Sequence, residues 1–175
     1  MPRIHVSSLE DMPSTAAALR ASHLITLLRN DQQPPTPAAI ETAKHHRVDI
    51  NDIDVATDGL IAPLAHHVRG VIQFASVWDQ QAPMLVHCYA GISRSTAAAY
   101  ISLCALNPDA DEAAIADALR HASPTASPNR LMIHHADQLL CRNGRMIVAI
   151  ERIGRGEMAF TARSFSLPAR FAAGS

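Results

Sequence analysis

An apolar strand pattern that runs straight into a cysteine and then into a helix constrains this chain more than any other feature. Pro83 is followed by Met84-Leu85-Val86, then His87-Cys88-Tyr89-Ala90-Gly91-Ile92-Ser93-Arg94-Ser95, then an alanine-rich stretch from Thr96 to Leu106. The N–H groups that open a helix have no intrahelical partner and point at a common centre, which favours an anion. Gly91 permits positive φ, so successive amides can converge. Arg94 adds a planar fork able to hold two oxygens of one phosphate. Cys88 in that positive field is favoured as the thiolate, the nucleophilic form. A lone cysteine is more often a buried structural thiol, but that reading leaves the Gly, Arg and Ser offsets unexplained.

Strand and helix patterns alternate before the loop. Arg3 to Leu9 reads as a strand, and Asp11-Met12-Pro13-Ser14 opens a helix that Asp11 or Ser14 could cap. His23 to Leu28 is a compact apolar run, and the proline-containing stretch Arg29 to Pro37 is a loop. Ala38 to Lys44 reads as a short helix, Val48-Asp49-Ile50-Asn51-Asp52 as a strand with a polar end, and Leu60 to Trp78 as a helix. After the loop the chain is helical: Thr96–Leu106, Asp111–His121, Asn129–Leu140 and Met146–Ile153, leaving 154–175 unassigned. Such an order predicts one α/β domain over 1–175, a mostly parallel sheet flanked by helices with a helical C-terminal half.

His87-Cys88, five residues, then Arg94-Ser95 resembles the signature of the protein tyrosine and dual-specificity phosphatases. The resemblance covers about residues 45 to 140. It implies a three-layer phosphatase fold and a reaction through a phosphocysteine. Cys88 is then the nucleophile, His87 tunes it, and Ser95 stabilises the departing thiolate. Tyr89, Ala90, Gly91, Ile92, Ser93 and Arg94 hold the phosphate. The overall look is similar to small bacterial tyrosine-phosphatase-like proteins, carried by Gly144-Arg145-Met146 and Ile153-Gly154-Arg155-Gly156. Low-molecular-weight phosphatases and arsenate reductases place the cysteine loop after the first strand, whereas here it is mid-chain. One departure from the family is Ala97-Ala98-Ala99, where a larger aliphatic residue is usual.

The resemblance also implies a general acid upstream of the cysteine. Asp49, Asp52, Asp54 and Asp58 are the candidates, with Asp52 first and Asp54 second; Asp58 reads as the N-cap of the next helix. Asn129, after Ser127-Pro128, is expected either to hydrogen-bond behind the site or to cap a helix.

Three adjacent histidine pairs point apart on any regular element and make poor metal geometry. No metal or cofactor is expected. Cys104 and Cys141 read as core-facing helix residues with a low prospect of pairing with Cys88, and Arg142, Arg145, Arg152 and Arg155 as a solvated face or as phosphate ligands. Formal net charge is −1, with no basic block, which argues against nucleic acid and membranes as partners. Apolar residues are 48% and aromatics 4%, so Ala, Leu, Ile and Val must build the core. An odd count of three cysteines and an N-terminus without a secretory pattern suggest the cytoplasm. The expected partner is a phosphorylated protein or small phosphate monoester. A non-catalytic phosphate-binding module, or a phosphatase acting on a lipid, sugar or RNA phosphate, stays open as an alternative. The uncharged loop residues tilt against phosphoinositides.

Overall fold

The computed structural model describes residues 1–174. Five strands form one sheet in the order β3-β2-β4-β1-β5. These are β1 (Arg3–Ser7), β2 (His23–Leu27), β3 (His45–Val48), β4 (Met84–His87) and β5 (Phe165–Pro168). The first four pair in parallel, and β5 runs antiparallel along β1. Six helices flank it: α1 (Met12–Leu19), α2 (Ala65–Ser76), α3 (Arg94–Leu106), α4 (Glu112–Ala122), α5 (Arg130–Leu139) and α6 (Arg145–Ile153).

Because side chains alternate across a strand, each central strand feeds two layers. Leu24 and Leu85 face α1 through Met12 and Ala16, while Ile25, Leu27, Met84 and Val86 enter the larger core with α2 to α6. Thr26 and His87 are register partners on β2 and β4, and they share the α1 face with Leu24 and Leu85. The three-layer α/β architecture expected from the sequence is present. Ala97, Ala98 and Ala99 are fully buried, so the small residues that depart from the family pattern bring α3 close against the sheet.

Several local expectations are corrected. The segment 38–44 holds only a single 3-10 turn at Thr42–Lys44 before β3 begins. The strand expected over 48–52 instead occupies His45–Val48, so Asp49 to Asp52 lie beyond its end. Asp58 caps nothing: α2 starts after Leu64, because Pro63 biases the preceding chain toward extended backbone. Neither Asp11 nor Ser14 caps α1 through its side chain; the Asp11 amide binds Ser8 Oγ instead. The tail holds the edge strand β5, so the C-terminal half is not wholly helical.

Arg142 is not a solvated residue. It is buried, pairs with Glu112 at 2.9 Å and donates to the Cys104 and Pro108 carbonyls. Cys141 is exposed rather than core-facing, whereas Cys104 is buried.

Candidate active site

The loop from Cys88 to Ser93 joins β4 to α3, and its carbonyls are tied to surrounding segments. Tyr89 O accepts from Leu9 N at 3.0 Å, Ala90 O from Ala162 N at 2.9 Å, and Ile92 O from Ser127 N at 2.9 Å. Ser93 O accepts from Ala97 N and Asn129 N. In a trans peptide the carbonyl and the next N–H point in opposite directions. Carbonyls drawn outward at 89, 90, 92 and 93 therefore turn the amides of 90, 91, 93 and 94 inward. Gly91 makes this possible with φ +74°, and its missing Cβ lets the loop lie against the Ser7–Ser8 backbone at the end of β1.

Cys88 sits at the base of this cradle, 2% exposed. Its Sγ lies 3.1 Å from Ser95 Oγ on the first turn of α3, so the Ser95 hydroxyl can donate to a thiolate. Arg94 is buried and donates through Nη1 to the Ile50 carbonyl at 3.1 Å. Its Nε has no partner among the described residues. A buried, unpaired guanidinium N–H costs free energy unless something accepts from it, and a phosphate oxygen in the cradle would satisfy that donor.

His87 holds the loop from below. Its Nδ1 lies 3.3 Å from the Cys88 carbonyl, which can only accept, so Nδ1 carries the hydrogen. Burial, reinforced by the charges of Arg47 and Arg94, pushes the imidazole down to about 4, so it is neutral. Nε2 then accepts from Thr26 Oγ1 at 2.7 Å. Thr26 in turn accepts from His45 Nε2 at 2.8 Å, and His45 Nδ1 accepts from Thr36 Oγ1 at 2.8 Å. His45 is likewise lowered to about 4, first by burial and then by Arg47 and His87. The chain of bonds has one consistent direction, and it fixes the tautomer and ring orientation of His87.

This arrangement has a consequence for stability. The unfolded imidazoles protonate near 6.5, but His87 and His45 do so only near 4. Their contribution is fully present above pH 6.5 and is lost as pH falls toward 4. Urea unfolding at pH 7.5 and 4.5 should show a loss on the order of 3 kcal/mol or more, with His5, His23, His46 and His67, also lowered by burial, adding in the same direction. Equal stability at both pH values would contradict the assignment.

The acid candidates separate cleanly. Asp52 is the one tied to the loop: its Oδ1 accepts from Ser93 Oγ at 2.7 Å and from Asn129 Nδ2 at 3.1 Å. With Oδ1 so occupied, a proton on this carboxyl belongs on Oδ2. Asn129 also donates to the Ile53 carbonyl and accepts from Met132 N, so it both holds the acid loop and caps α5. The neck of that loop is closed by Asn51 and Ile61 through reciprocal bonds of 2.8 Å. Asp49 is engaged with Arg29 and the Asn30 amide, away from the cradle. Asp54 lines the same cleft as Asp52 but has no hydrogen-bond partner among the described residues. Asp58 is exposed in the turn before Gly59.

Thr26, His45 and the Ile50 carbonyl take positions that the sequence did not mark, and Ser93, expected only as a phosphate ligand, also donates to Asp52. A threonine inside the otherwise apolar run of β2 was the available signal for Thr26.

The fold now meets solved structures. DUSP15 superposes with a TM-score of 0.61 at 17% identity, over 86% of this chain and 89% of that one. Human DUSP28 gives 0.62 at 17% identity, over 80% and 92%. PTPMT1 in complex with PI(5)P gives 0.56 at 13% identity, over 80% and 94%. The chain has the dual-specificity phosphatase fold. No protein-family model and no curated protein matches the sequence. In this phosphatase fold the cysteine loop occupies the C-terminal end of a central strand, where an open α/β sheet places its ligands.

Cys104 does not serve this site. Ser95 touches Cys88, and Cys104 lies nine residues further along α3, about 13 Å away. Disulfide geometry needs Cα atoms within about 7 Å, and burial pushes the Cys104 thiol up to about 12. Among the described residues no group of three His, Cys, Asp or Glu is placed to hold a metal.

Proposed function

We propose that the chain is a cysteine-dependent phosphatase of the protein tyrosine or dual-specificity type. The observation that carries this reading is the buried, unpaired Arg94 Nε at the end of the Cys88 loop, whose carbonyls at 89, 90, 92 and 93 are bonded to other segments or to the following helix. Inward amides and the guanidinium bind the phosphate and stabilise charge on its equatorial oxygens. Cys88 Sγ attacks phosphorus, forming an S–P bond as the P–O bond to the leaving group breaks. Asp52 gives its Oδ2 proton to the leaving oxygen. Water then attacks the phosphocysteine and loses its proton to Asp52. The thiolate departs, accepting the Ser95 hydrogen bond as it does so.

The loop side chains other than Arg94 are uncharged, and Tyr89 stands exposed beside Cys88. An aryl group suits such a surface better than a polyanionic headgroup, which favours phosphotyrosine or small aryl phosphates. A thiol nucleophile works best where it stays reduced, which supports a cytoplasmic reading.

A denaturing quench during turnover of an aryl phosphate should leave phosphate on the peptide that contains Cys88, detectable by mass spectrometry. With p-nitrophenyl phosphate and Asp52→Ala, where the first step needs no proton and the second lacks its base, turnover with no phosphopeptide would rule out the covalent route.

A further inference from the structure

The stretch 154–164 between α6 and β5 forms a strap that is tied to the phosphate loop at two points. Near its start Gly156 N donates to Ser127 Oγ and Glu157 N to the Pro124 carbonyl, each at 2.9 Å. A Cβ on Gly156 would collide with the backbone of Thr125 and Ala126, so glycine lets the strap lie against that segment. Ser127 N in turn donates to the Ile92 carbonyl of the loop. Further along, the buried Ala162 donates its N–H to the Ala90 carbonyl.

Between those anchors the strap is unpartnered. Met158, Ala159, Phe160 and Thr161 are all exposed and make no hydrogen bond among the described residues. Met158 and Phe160 are 103% and 101% exposed, so neither side chain packs on the body of the protein. Scattered apolar residues on a surface are ordinary. Two large ones, two residues apart on a segment fixed to a phosphate-binding loop, are a candidate contact surface.

These residues also border the site. Met158, Ala159 and Phe160 line a hollow of about 310 Å³ together with Ile92, Ser127 and Arg155. Ile92 belongs to the phosphate loop. Ser127 and Arg155 also line the cleft that holds Asp52 and Asn129. The apolar hollow is therefore continuous with the acid cleft and has one wall in the loop itself. Thr161 shares a second hollow with Tyr89, Ser8 and Leu9, which brings the strap beside the exposed ring next to Cys88.

We propose that this strap is a substrate-docking wall. The preferred substrates are extended phosphotyrosine peptides with a large apolar residue flanking the phosphotyrosine, seated against Met158 and Phe160. This rests on the phosphatase reading of the inner site. The free backbone groups of residues 158 to 161 favour a peptide, because an extended chain can pair with them as it would with a sheet edge. The same groups oppose a membrane role, since unpaired N–H and C=O groups are costly to bury in hydrocarbon. The carboxylate of Glu157, which also lines the hollow, would be repelled by anionic headgroups.

The test compares kcat/KM for phosphotyrosine peptides carrying leucine or the similarly sized asparagine at one flanking position, scanned on each side in turn. At one position or more, wild type should prefer leucine by about tenfold. Met158→Ser with Phe160→Ser should bring that ratio to within about twofold. Because both side chains are fully exposed, the double variant should melt within about two degrees of wild type, which separates lost docking from lost folding. Equal rates at every position in wild type, or a preference untouched by the double substitution, would overturn the docking wall. Binding to phosphatidylcholine–phosphatidylserine vesicles that the double substitution abolishes, without a leucine preference, would assign the strap to a membrane instead. A dimer that the same substitution dissociates, again without a preference, would assign it to a second copy of the chain. If no peptide is turned over, the phosphatase reading fails separately. Calorimetric binding of the same peptides to Cys88→Ser then reads the wall, and equal affinities for the leucine and asparagine peptides would refute it.

Discussion

Cys88→Ser is expected to lower kcat for an aryl phosphate by about 10⁴-fold or more while inorganic phosphate still binds within a few fold of wild type. The two effects separate because the cradle and the nucleophile are different groups. In the proposed mechanism phosphate is held by the inward amides of the loop and by Arg94, whose Nη1 is anchored on the Ile50 carbonyl. None of that changes when sulfur becomes oxygen. The serine hydroxyl, by contrast, is nearly all protonated at neutral pH and would need a base to attack. His87 cannot act as one: its Nδ1 hydrogen is turned to the Cys88 carbonyl, and its Nε2 is occupied by Thr26. Ser95 is the side chain that reaches Sγ, and it is not a base. Steady-state kinetics with phosphate-binding calorimetry check both halves. Undiminished turnover in Cys88→Ser would sink the nucleophilic mechanism. Phosphate binding without turnover by the wild type would make the chain a phosphate-recognition module instead.

Asp52→Ala should reduce kcat by about 10²–10³-fold on substrates with poor leaving groups such as phenol or an alcohol. The loss should be much smaller with p-nitrophenol, which departs without a proton. The alkaline limb of the kcat profile should flatten, because that limb reports loss of the proton from the acid. Asp54→Ala is expected to leave the limb in place, since Asp54 lacks the two bonds that hold Asp52 over the loop. A flattened limb in Asp54→Ala but not in Asp52→Ala would reverse the assignment. The leaving-group dependence guards against a trivial explanation, because a variant that merely unfolds loses activity on every substrate alike.

How much of this was readable before the fold was known depends on how far apart the partners lie in the chain. The cradle is local: a strand, a glycine, an arginine and a helix start within twelve residues, from Met84 to Ser95, and each step follows from short-range geometry. Four carboxylates precede the loop, and the strand expected to end at Asp52 ends at Val48 instead. Asp52 nevertheless stands at the loop because Ser93 and Asn129, 41 and 77 residues away, hold it there. Bonds at that separation leave no periodic trace in a sequence. The same holds for His45, whose link to His87 passes through Thr26 on the strand between them. β5 leaves little trace in the sequence because it is a four-residue edge strand ending in Pro168, and its pairing with β1 is made across nearly the whole chain.

The helices of the second half were largely visible from their apolar spacing, but their charges were not interpretable from it. Arg142, Arg145, Arg152 and Arg155 look equivalent along the chain. Folding buries the first against Glu112, pairs the next two, and leaves the last facing the cleft. The sequence alone determined the strand–loop–helix that can hold a phosphate over Cys88, because backbone geometry and one positive-φ glycine suffice for it. Only the tertiary structure decided which aspartate serves that loop, how His87 is oriented and which arginines remain unpaired, because each depends on contacts between segments far apart in the chain.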